Sequence, residues 1–389
     1  MISAGTAFID ITPPPGSLMA CFPVGPERTP RRAVGAHDPL FARVLALSDG
    51  RQTAAICACD LAIIRRIDVA RIREQVTADA RVLVCATHTH SSPESGYLFG
   101  NTPDDPWVVE TDRRIAAAVD AACRAMAPVT LSAGSRDTEL SHNRRVPGGT
   151  DLALEYCEGE TTGPVDPALT VLRLDGADGP RALLCHFTAH ALTVGPRTFH
   201  YTADYPGAIV RALEERFPGA AALFVNGAAG NVHPRRCMRQ DLSALQEMGA
   251  ALGEAAINAA GNAATLGDLR LDVRAETLTF PNRMDSALQV DVELACLDLG
   301  PLTIGFVPGE LFVEFQLEFK RRLAPRTALL IGYANGWPGY IPTRDAYPAG
   351  GYGVDPCPTD PPALSRTALP PGAGEEILER LVKLSNATE

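Results

Sequence analysis

The sequence contains no uninterrupted apolar run approaching eighteen residues, although a membrane-spanning helix needs about that length. Its N-terminus, MISAGTAFIDITPPPG, lacks the basic segment and long apolar segment of an export signal. Positive charge is also in deficit, because 35 Lys and Arg stand against 46 Asp and Glu and leave a formal net charge of −11. We therefore expect a cytoplasmic protein with no stable membrane association and no nucleic-acid partner.

The ten cysteines form no CxxC pair and are scattered from Cys21 to Cys357. Several lie inside apolar runs, such as Cys85 in VLVCA, where a thiol packs as a small hydrophobic group. A chain of 389 residues with 46% hydrophobic residues can build its core without disulfides. A reducing compartment is the simpler interpretation of this cysteine usage.

What the sequence does have is an alternation of short apolar segments and helical patterns, which predicts an α/β fold with mixed β-sheets covered by helices. Strands are predicted at residues 7–11, 41–47, 53–63, 81–86, 168–174, 181–187, 221–225, 269–278, 288–297, 302–307 and 328–333. Helices are predicted at residues 67–77, 111–126, 207–217, 242–260, 311–323 and 375–384. The 34 Gly and 32 Pro concentrate between these segments and predict long shaped loops at residues 21–38, 96–107, 144–164 and 337–371.

Two histidines two residues apart follow the predicted strand at residues 81–86, in the run Thr-His-Thr-His-Ser. In an extended chain residues two apart face the same side, so His88 and His90 can converge on one point. This geometry suits a metal ion or an acid/base pair. Two hydrogen-bonded histidines without a metal explain the pattern about equally well.

A second group of polar residues, His186, His190, His200 and Asp204, follows the predicted strand at residues 181–187. Open α/β sheets place their sites at such strand ends, so a site shared with the first histidine pair is plausible. For His186, inside an apolar run, a hydrogen-bonded core histidine is the better interpretation. Neither a structural nor a functional role is favoured for His142 or His200.

Two further patterns follow apolar strands. The run Asn-Gly-Ala-Ala-Gly-Asn-Val-His-Pro, which ends at Pro234, is rich in small residues that allow close backbone approach and can direct N–H groups at an oxyanion. It lacks the GK[ST] of a phosphate-binding loop, and tight turn packing explains it equally well. Glu310 in Val-Pro-Gly-Glu can be a carboxylate metal ligand or a favourable charge at a helix N-terminus.

In this order, the motifs resemble the catalytic domain of the neutral/alkaline non-lysosomal ceramidase family. The matching segments are AGTAFIDITPPPG, HDPLFARVLALSDG, ATHTHSSPE, FTAHALTVGP, TADYPGAIVRALEE, LFVNGAAGNVHP, FVPGE and YANGWPGYIPTRDAY, with an Asn-Arg pair at 143–144. Because they are collinear over nearly the whole chain, we expect a single zinc-dependent hydrolase domain over residues 1–389. Ceramidases continue into a C-terminal immunoglobulin-like domain, which we expect this protein to lack.

The resemblance implies an amidase with one zinc ion per chain, whose ligands are His88, His190, Glu310 and Tyr340. It implies that zinc-bound water attacks the amide, that His90 acts in acid/base work, and that Arg144 and Tyr352 contact the substrate carbonyl or its oxyanion.

The family's serine in the Gly-Ala loop is His233 here, so a serine acyl-enzyme route through that position is excluded. We expect His233, Asn231, Gly230 and Asp204 to contact the substrate. The predicted function is hydrolysis of an N-acyl amide bond of a small molecule. Cleavage of an ester, lactone or glycoside on the same scaffold, or non-catalytic binding of a small molecule, are the alternatives.

Overall fold

The protein is described by a computed structural model, which covers residues 1–23, 29–145, 163–357 and 360–387. The strands are β1 (Ser3–Asp10), β2 (Gly35–Ala36), β3 (Phe41–Ser48), β4 (Thr53–Cys59), β5 (Arg81–Ala86), β6 (Ala127–Pro128), β7 (Thr130–Asp137), β8 (Ser141–Asn143), β9 (Ala168–Gly176), β10 (Gly179–Phe187), β11 (His200–Tyr201), β12 (Ala221–Asn226), β13 (Val232–Pro234), β14 (Ala264–Thr265), β15 (Asp272–Pro281), β16 (Gln289–Asp298), β17 (Leu302–Phe306), β18 (Glu310–Leu311), β19 (Thr327–Ile331) and β20 (Tyr340–Ile341). The helices are α1 (Arg66–Gln75), α2 (Pro106–Arg124), α3 (Asp204–Arg216), α4 (Ser243–Gly261), α5 (Val313–Leu323), α6 (Ala346–Ala349) and α7 (Ala373–Asn386).

Three mixed sheets form the framework, with the strand orders β5-β4-β3-β1-β6, β12-β10-β9-β7-β14 and β15-β16-β17-β19. Each sheet has one parallel pair of neighbouring strands, and its other pairs are antiparallel. The parallel pairs are β4 and β5 in the first sheet, β10 and β12 in the second, and β17 and β19 in the third. Strands of a parallel pair end at the same edge of their sheet, and the loops that follow them lie close together. His88 follows β5, His190 follows β10 and Glu310 follows β17, so each sheet delivers one of these residues from its parallel pair.

The hydrophobic core lies where the three sheets meet. Leu45 of β3, Leu184 of β10 and Leu297 of β16 belong to one cluster of buried side chains. Helices cover the outer faces: α1 and α2 pack on the first sheet, α3 and α4 on the second, and α5 and α7 on the third. The predicted α/β architecture of mixed sheets covered by helices is therefore confirmed.

Most predicted elements agree with the structure to within a few residues, but one helix begins earlier than predicted and one strand was missed. Helix α2 begins at Pro106 instead of residue 111, since the Asp105 side chain accepts a hydrogen bond from the Trp107 backbone N–H at 2.9 Å and proline fits the first helical position. Strand β7 was not predicted at all, and it pairs with β9 over eight residues.

Part of the predicted loop at residues 144–164 lies outside the described residues, at 146–162, as do residues 24–28 and 358–359 of two other predicted loops. In the part of the chain that is described, no helix combines the length and the apolar character needed to cross a bilayer.

Candidate metal centre and active site

Three histidines form a compact cluster at the edge where the sheets meet. The ligand nitrogens of His88, His90 and His190 all lie within 4.8 Å of one another, and the Nε2 atoms of His88 and His90 are 3.2 Å apart. The predicted convergence of His88 and His90 is thus found, and His190 lies beside them. A cluster of this size can hold a metal ion.

The backbone brings the cluster together in a way that differs from an extended strand. His88 adopts a left-handed conformation with φ of 66°, which turns the chain directly after β5. The segment then pairs with the one that follows β10: Thr89 and Ala191 form a parallel bridge, and the His90 N–H donates to the Ala191 carbonyl at 3.1 Å. This pairing places His190 beside His88.

Backbone carbonyls fix the orientation of two of the imidazoles. His88 Nδ1 lies 2.6 Å from the Ala62 carbonyl oxygen, and His190 Nδ1 lies 2.7 Å from that of Ala229. Because a carbonyl can only accept, each Nδ1 carries the hydrogen, and in a neutral ring this leaves the Nε2 lone pair directed into the cluster. Burial lowers the pKa of His190 to about 4, so this ring is neutral near pH 7.

A buried carboxylate faces these lone pairs. Glu310 Oε2 lies 3.3 Å from His88 Nε2 and 3.3 Å from His190 Nε2, while Glu310 Oε1 accepts a hydrogen bond from Trp337 Nε1 at 3.0 Å. With the imidazoles in the tautomer described, three electron-pair donors face one another with no hydrogen between them. Such an arrangement is costly in a buried place unless a cation between the donors compensates it.

The local structure at Glu310 differs from the helix start considered for it. Glu310 and Leu311 form the short strand β18, which pairs in parallel with β20 so that Glu310 lies opposite Tyr340. Helix α5 begins only at Val313, and the acidic residue in its first turn is Glu314. A role of Glu310 as a helix-dipole charge is therefore wrong, and the strand pairing accounts for the proximity of the carboxylate and Tyr340.

Two aromatic residues that were not assigned from sequence support the centre. The Tyr333 ring stacks on His88, with centroids 4.1 Å apart and an interplanar angle of 21°. Trp337 orients Glu310 through the hydrogen bond given above. Both belong to the segment YANGWPGY. Its aromatic residues, placed in a glycine-rich loop, were the feature of the sequence that could have indicated a supporting role.

A cavity of about 360 Å³ opens beside the cluster. Its lining combines apolar side chains with histidines, Glu310, tyrosine hydroxyls and a guanidinium. Its lining residues are Cys21, Phe22, Pro23, Ile63, His88, His90, Leu98, Phe99, His190, Leu192, His233, Met238, Glu310, Trp337, Tyr340, Tyr352 and Arg366. A cavity of this kind, apolar with a few convergent polar groups, is typical of small-molecule sites.

Arg144 is buried behind the two tyrosines of this cavity. Its Nη2 and Nε donate to the Gly230 carbonyl oxygen at 2.8 and 3.3 Å. The guanidinium carbon lies 4.9 Å from the centroid of the Tyr352 ring and 5.6 Å from that of Tyr340. Among the described residues, Nη1 has no hydrogen-bond partner and no carboxylate forms an ion pair with Arg144. The structure thus brings Arg144, Tyr340 and Tyr352 together.

The Gly-Ala loop uses its polar groups to hold the protein together. The Gly230 N–H donates to the Leu311 carbonyl at 2.7 Å, so it does not point at an oxyanion. The Asn231 Oδ1 accepts the Val313 N–H at 2.8 Å, and its Nδ2 donates to Glu314 at 2.9 Å. Neither residue lines the cavity. Their expected contact with the substrate stays a prediction, and the structure shows that the small residues allow close backbone approach.

Asp204 is also placed away from the cavity. Its two oxygens accept hydrogen bonds from the backbone N–H groups of Thr193, Val194 and Tyr205 and from the Thr193 hydroxyl, at 2.6–3.3 Å. With its oxygens used in this way, Asp204 anchors the segment after His190. Its expected contact with the substrate stays a prediction.

The remaining histidines differ in position. His233 lines the cavity, and its ring centroid lies 5.1 Å from that of His190, while His142 lies opposite His233 in the β8–β13 pair. His186 is fully buried and its Nε2 lies 2.9 Å from the Leu330 carbonyl, as a core histidine would. His200 lies on the surface.

No protein-family model matches the sequence, and no curated protein matches it. Among solved structures, the chain is similar to neutral ceramidase from Pseudomonas aeruginosa, with a TM-score of 0.78 and 17% sequence identity over 99% of this chain and 74% of that chain. A structure described as a ceramidase complexed with C2 matches with the same TM-score, identity and coverage. The likeness shows that this chain has a neutral-ceramidase-like fold.

Proposed function

We propose that the protein is a zinc-dependent hydrolase that cleaves an amide (N-acyl) bond of a small molecule. The observation that carries the proposal is the convergence of the Nε2 atoms of His88 and His190 on Glu310 Oε2 at 3.3 Å, with both Nδ1 atoms engaged by carbonyls. The amide specificity is drawn from the ceramidase-like fold and motifs.

The donor set fits zinc well. Two imidazole nitrogens and one carboxylate oxygen are the ligands of many catalytic zinc sites, which keep a further position open. We assign His88, His190 and Glu310 as ligands, with the Tyr340 phenol as a weaker fourth. Bound there, zinc would supply Lewis-acid activation of water and of a carbonyl oxygen.

We assign to His90 the proton transfers of the hydrolysis reaction. Burial and the neighbouring His88 lower its pKa well below the ordinary value, so the ring is neutral and can accept a proton. Its Nε2 lies 3.2 Å from His88 Nε2, and its buried Nδ1 has no hydrogen-bond partner in the part of the chain that the structure describes. A neutral imidazole at this position can take a proton from water and return it to the leaving nitrogen.

We assign to Arg144 and Tyr352 the stabilisation of the substrate carbonyl oxygen. Arg144 is a buried cation with no ion-pair partner among the described carboxylates, so the site favours a ligand that brings or develops negative charge. Arg144 is not among the residues that line the cavity, but its guanidinium packs on the Tyr352 ring, which does. Tyr352 can donate to the oxygen of a tetrahedral intermediate, and the positive charge of Arg144 behind the ring adds to the stabilisation.

The cavity indicates a compact substrate. At about 360 Å³ it is at the lower end of ligand sites, and its apolar lining includes Phe22, Leu98 and Met238. These side chains suit an apolar acyl group. His233, which also lines the cavity, is assigned a contact with the substrate beside the scissile bond.

The test is hydrolysis by zinc-loaded protein of a panel of N-acyl amides of increasing chain length, beside matched esters, lactones and glycosides. We expect amide turnover, and a loss of roughly 10²–10⁴-fold in kcat for His90→Ala with zinc content unchanged. Cleavage of esters or glycosides but no amide would show that the scissile bond is not an amide. Zinc binding with no turnover of any panel member, but thermal stabilisation by one, would indicate a binding protein.

A further inference from the structure

Arg366 contacts both tyrosines of the site. Its backbone carbonyl accepts the Tyr340 N–H at 2.7 Å, and its Nη1 donates to the Tyr352 phenol oxygen at 3.2 Å. Its guanidinium carbon lies 5.7 Å from the Tyr352 ring centroid. Arg366 also lines the cavity, although it lies 14 residues beyond Tyr352 and outside the motifs that drew attention to the site.

Asp360 fixes this arginine in place. The Asp360 carboxylate accepts from Arg366 Nε at 2.8 Å and from Nη2 at 3.1 Å, and it also accepts the Arg366 backbone N–H at 3.1 Å. A two-pronged pair of this type sets the plane of the guanidinium, so the direction of Nη1 is fixed as well. Because Asp360 balances the charge, the pair is poorly suited to capture an anion.

We propose that Arg366, held by Asp360, is a positioning residue that orients the Tyr352 phenol toward the substrate carbonyl. This rests on the proposed hydrolase function. A phenol oxygen that accepts a hydrogen bond becomes a better donor through its own O–H, and a preorganised donor is what a developing oxyanion requires. The same residue sets the position of Tyr340 through its backbone carbonyl.

A direct contact between Arg366 and the substrate is the competing role, since the side chain lines the cavity. The two roles predict different effects when the Arg366 and Tyr352 substitutions are combined in one protein. An arginine that acts through Tyr352 loses its effect once the phenol hydroxyl is gone, whereas an arginine that binds substrate keeps its effect in the absence of that hydroxyl.

The experiment compares Arg366→Met, Tyr352→Phe and the double variant in the zinc-loaded full chain. Arg366→Lys and Asp360→Asn are milder variants that serve if the methionine variant fails to fold. Arg173→Met is the matched control, because Arg173 also forms a two-pronged pair with an aspartate, Asp175, and also lies over an aromatic ring. Zinc content and thermal stability are measured for each.

We expect Tyr352→Phe to lower kcat roughly 10²-fold, and Arg366→Met roughly tenfold, with KM little changed. The double variant should match Tyr352→Phe to within roughly twofold, and Arg366→Lys should restore only part of the loss. Losses that multiply in the double variant, or a loss confined to KM, would overturn the proposal. So would normal kcat in Tyr352→Phe.

A second measurement does not depend on turnover. In protein labelled with fluorotyrosine, the ¹⁹F resonance that disappears in Tyr352→Phe belongs to Tyr352. Its chemical shift should move in Arg366→Met and stay unchanged in Arg173→Met. If the wild-type protein cleaves no amide, the proposed function fails, and this spectrum alone then decides whether Arg366 orients Tyr352.

Discussion

The substitution Gly230→Ala tests how the Gly-Ala loop builds the metal centre. A Cβ at this position would lie 2.3 Å from the Glu310 carbonyl oxygen, 2.7 Å from that of Leu311 and 2.8 Å from the Glu310 carbonyl carbon. All three are backbone atoms, so the loop and β18 must move apart. The movement strains the Gly230–Leu311 hydrogen bond and the bond from Arg144 to the Gly230 carbonyl.

The expected cost follows from these contacts. Overpacking a well-packed core costs about 1–3 kcal/mol, and weakening two hydrogen bonds adds about 1 kcal/mol, so the free energy of unfolding should fall by about 2–4 kcal/mol. Because Glu310 itself is displaced, zinc affinity should fall roughly 10–100-fold, as when groups that support metal ligands are lost.

The assays are urea unfolding at a fixed free zinc concentration and competition for zinc with a chelator. Gly267→Ala is the control, because no atom of the described residues other than its chain neighbours lies within 4 Å of a Cβ built there. It should leave zinc affinity unchanged and unfolding within roughly 1 kcal/mol of wild type. Wild-type zinc affinity and stability in Gly230→Ala would refute the reasoning that the glycine is needed for close approach to Glu310.

Three other substitutions separate metal binding from stability. Trp337→Phe removes the donor to Glu310 Oε1 and should lower zinc affinity roughly tenfold in a chelator competition; an unchanged affinity would show that this hydrogen bond does not orient the carboxylate. Asn231→Ala removes the side-chain acceptor for the Val313 N–H and should lower the free energy of unfolding by about 1–2 kcal/mol in urea. A large rise in KM at normal stability would instead indicate that Asn231 contacts the substrate. Asp204→Asn should cost about 1–3 kcal/mol by leaving N–H groups without an acceptor, with KM unchanged; a KM effect alone would contradict its assignment as an anchor.

The framework could be predicted from sequence because its strands are apolar and its helices periodic. Strand β5 has the predicted bounds, and its run Arg-Val-Leu-Val-Cys-Ala is typical of a strand buried on both faces. Strand β7, Thr-Leu-Ser-Ala-Gly-Ser-Arg-Asp, is mostly polar and partly exposed, and it contains a glycine. Its stability comes from pairing with β9 and β14, which a local pattern does not reveal.

The site could be predicted only in part. His88, His90, His190 and Glu310 are brought together as expected, because strand ends are recognisable and imidazole and carboxylate groups suggest their own chemistry. The expected substrate contacts of Gly230 and Asn231 were drawn from the small residues of their loop, and that of Asp204 from its place after a predicted strand. In the structure, polar atoms of Gly230 and Asn231 join the loop to Leu311 and Val313, whereas Asp204 accepts hydrogen bonds from residues within eleven positions of it. No local pattern distinguishes such contacts from contacts with a substrate.

Supporting residues were the least predictable. Trp337 and Arg366 act through contacts with Glu310, Tyr340 and Tyr352 that exist only in the folded chain. Their sequence neighbourhoods are rich in glycine and proline, which indicates a shaped loop but not which side chain faces the site.

The central claim is that His190 and His88 hold a zinc ion with Glu310, and zinc content measures it most directly. His186→Ala is a matched control for His190→Ala, since both residues are buried histidines within four positions of each other and only His190 belongs to the cluster. We predict one zinc per chain in the wild-type protein and in His186→Ala, and a loss of bound zinc in His190→Ala. No stoichiometric zinc in the wild type, or full zinc content in His190→Ala, would contradict the account.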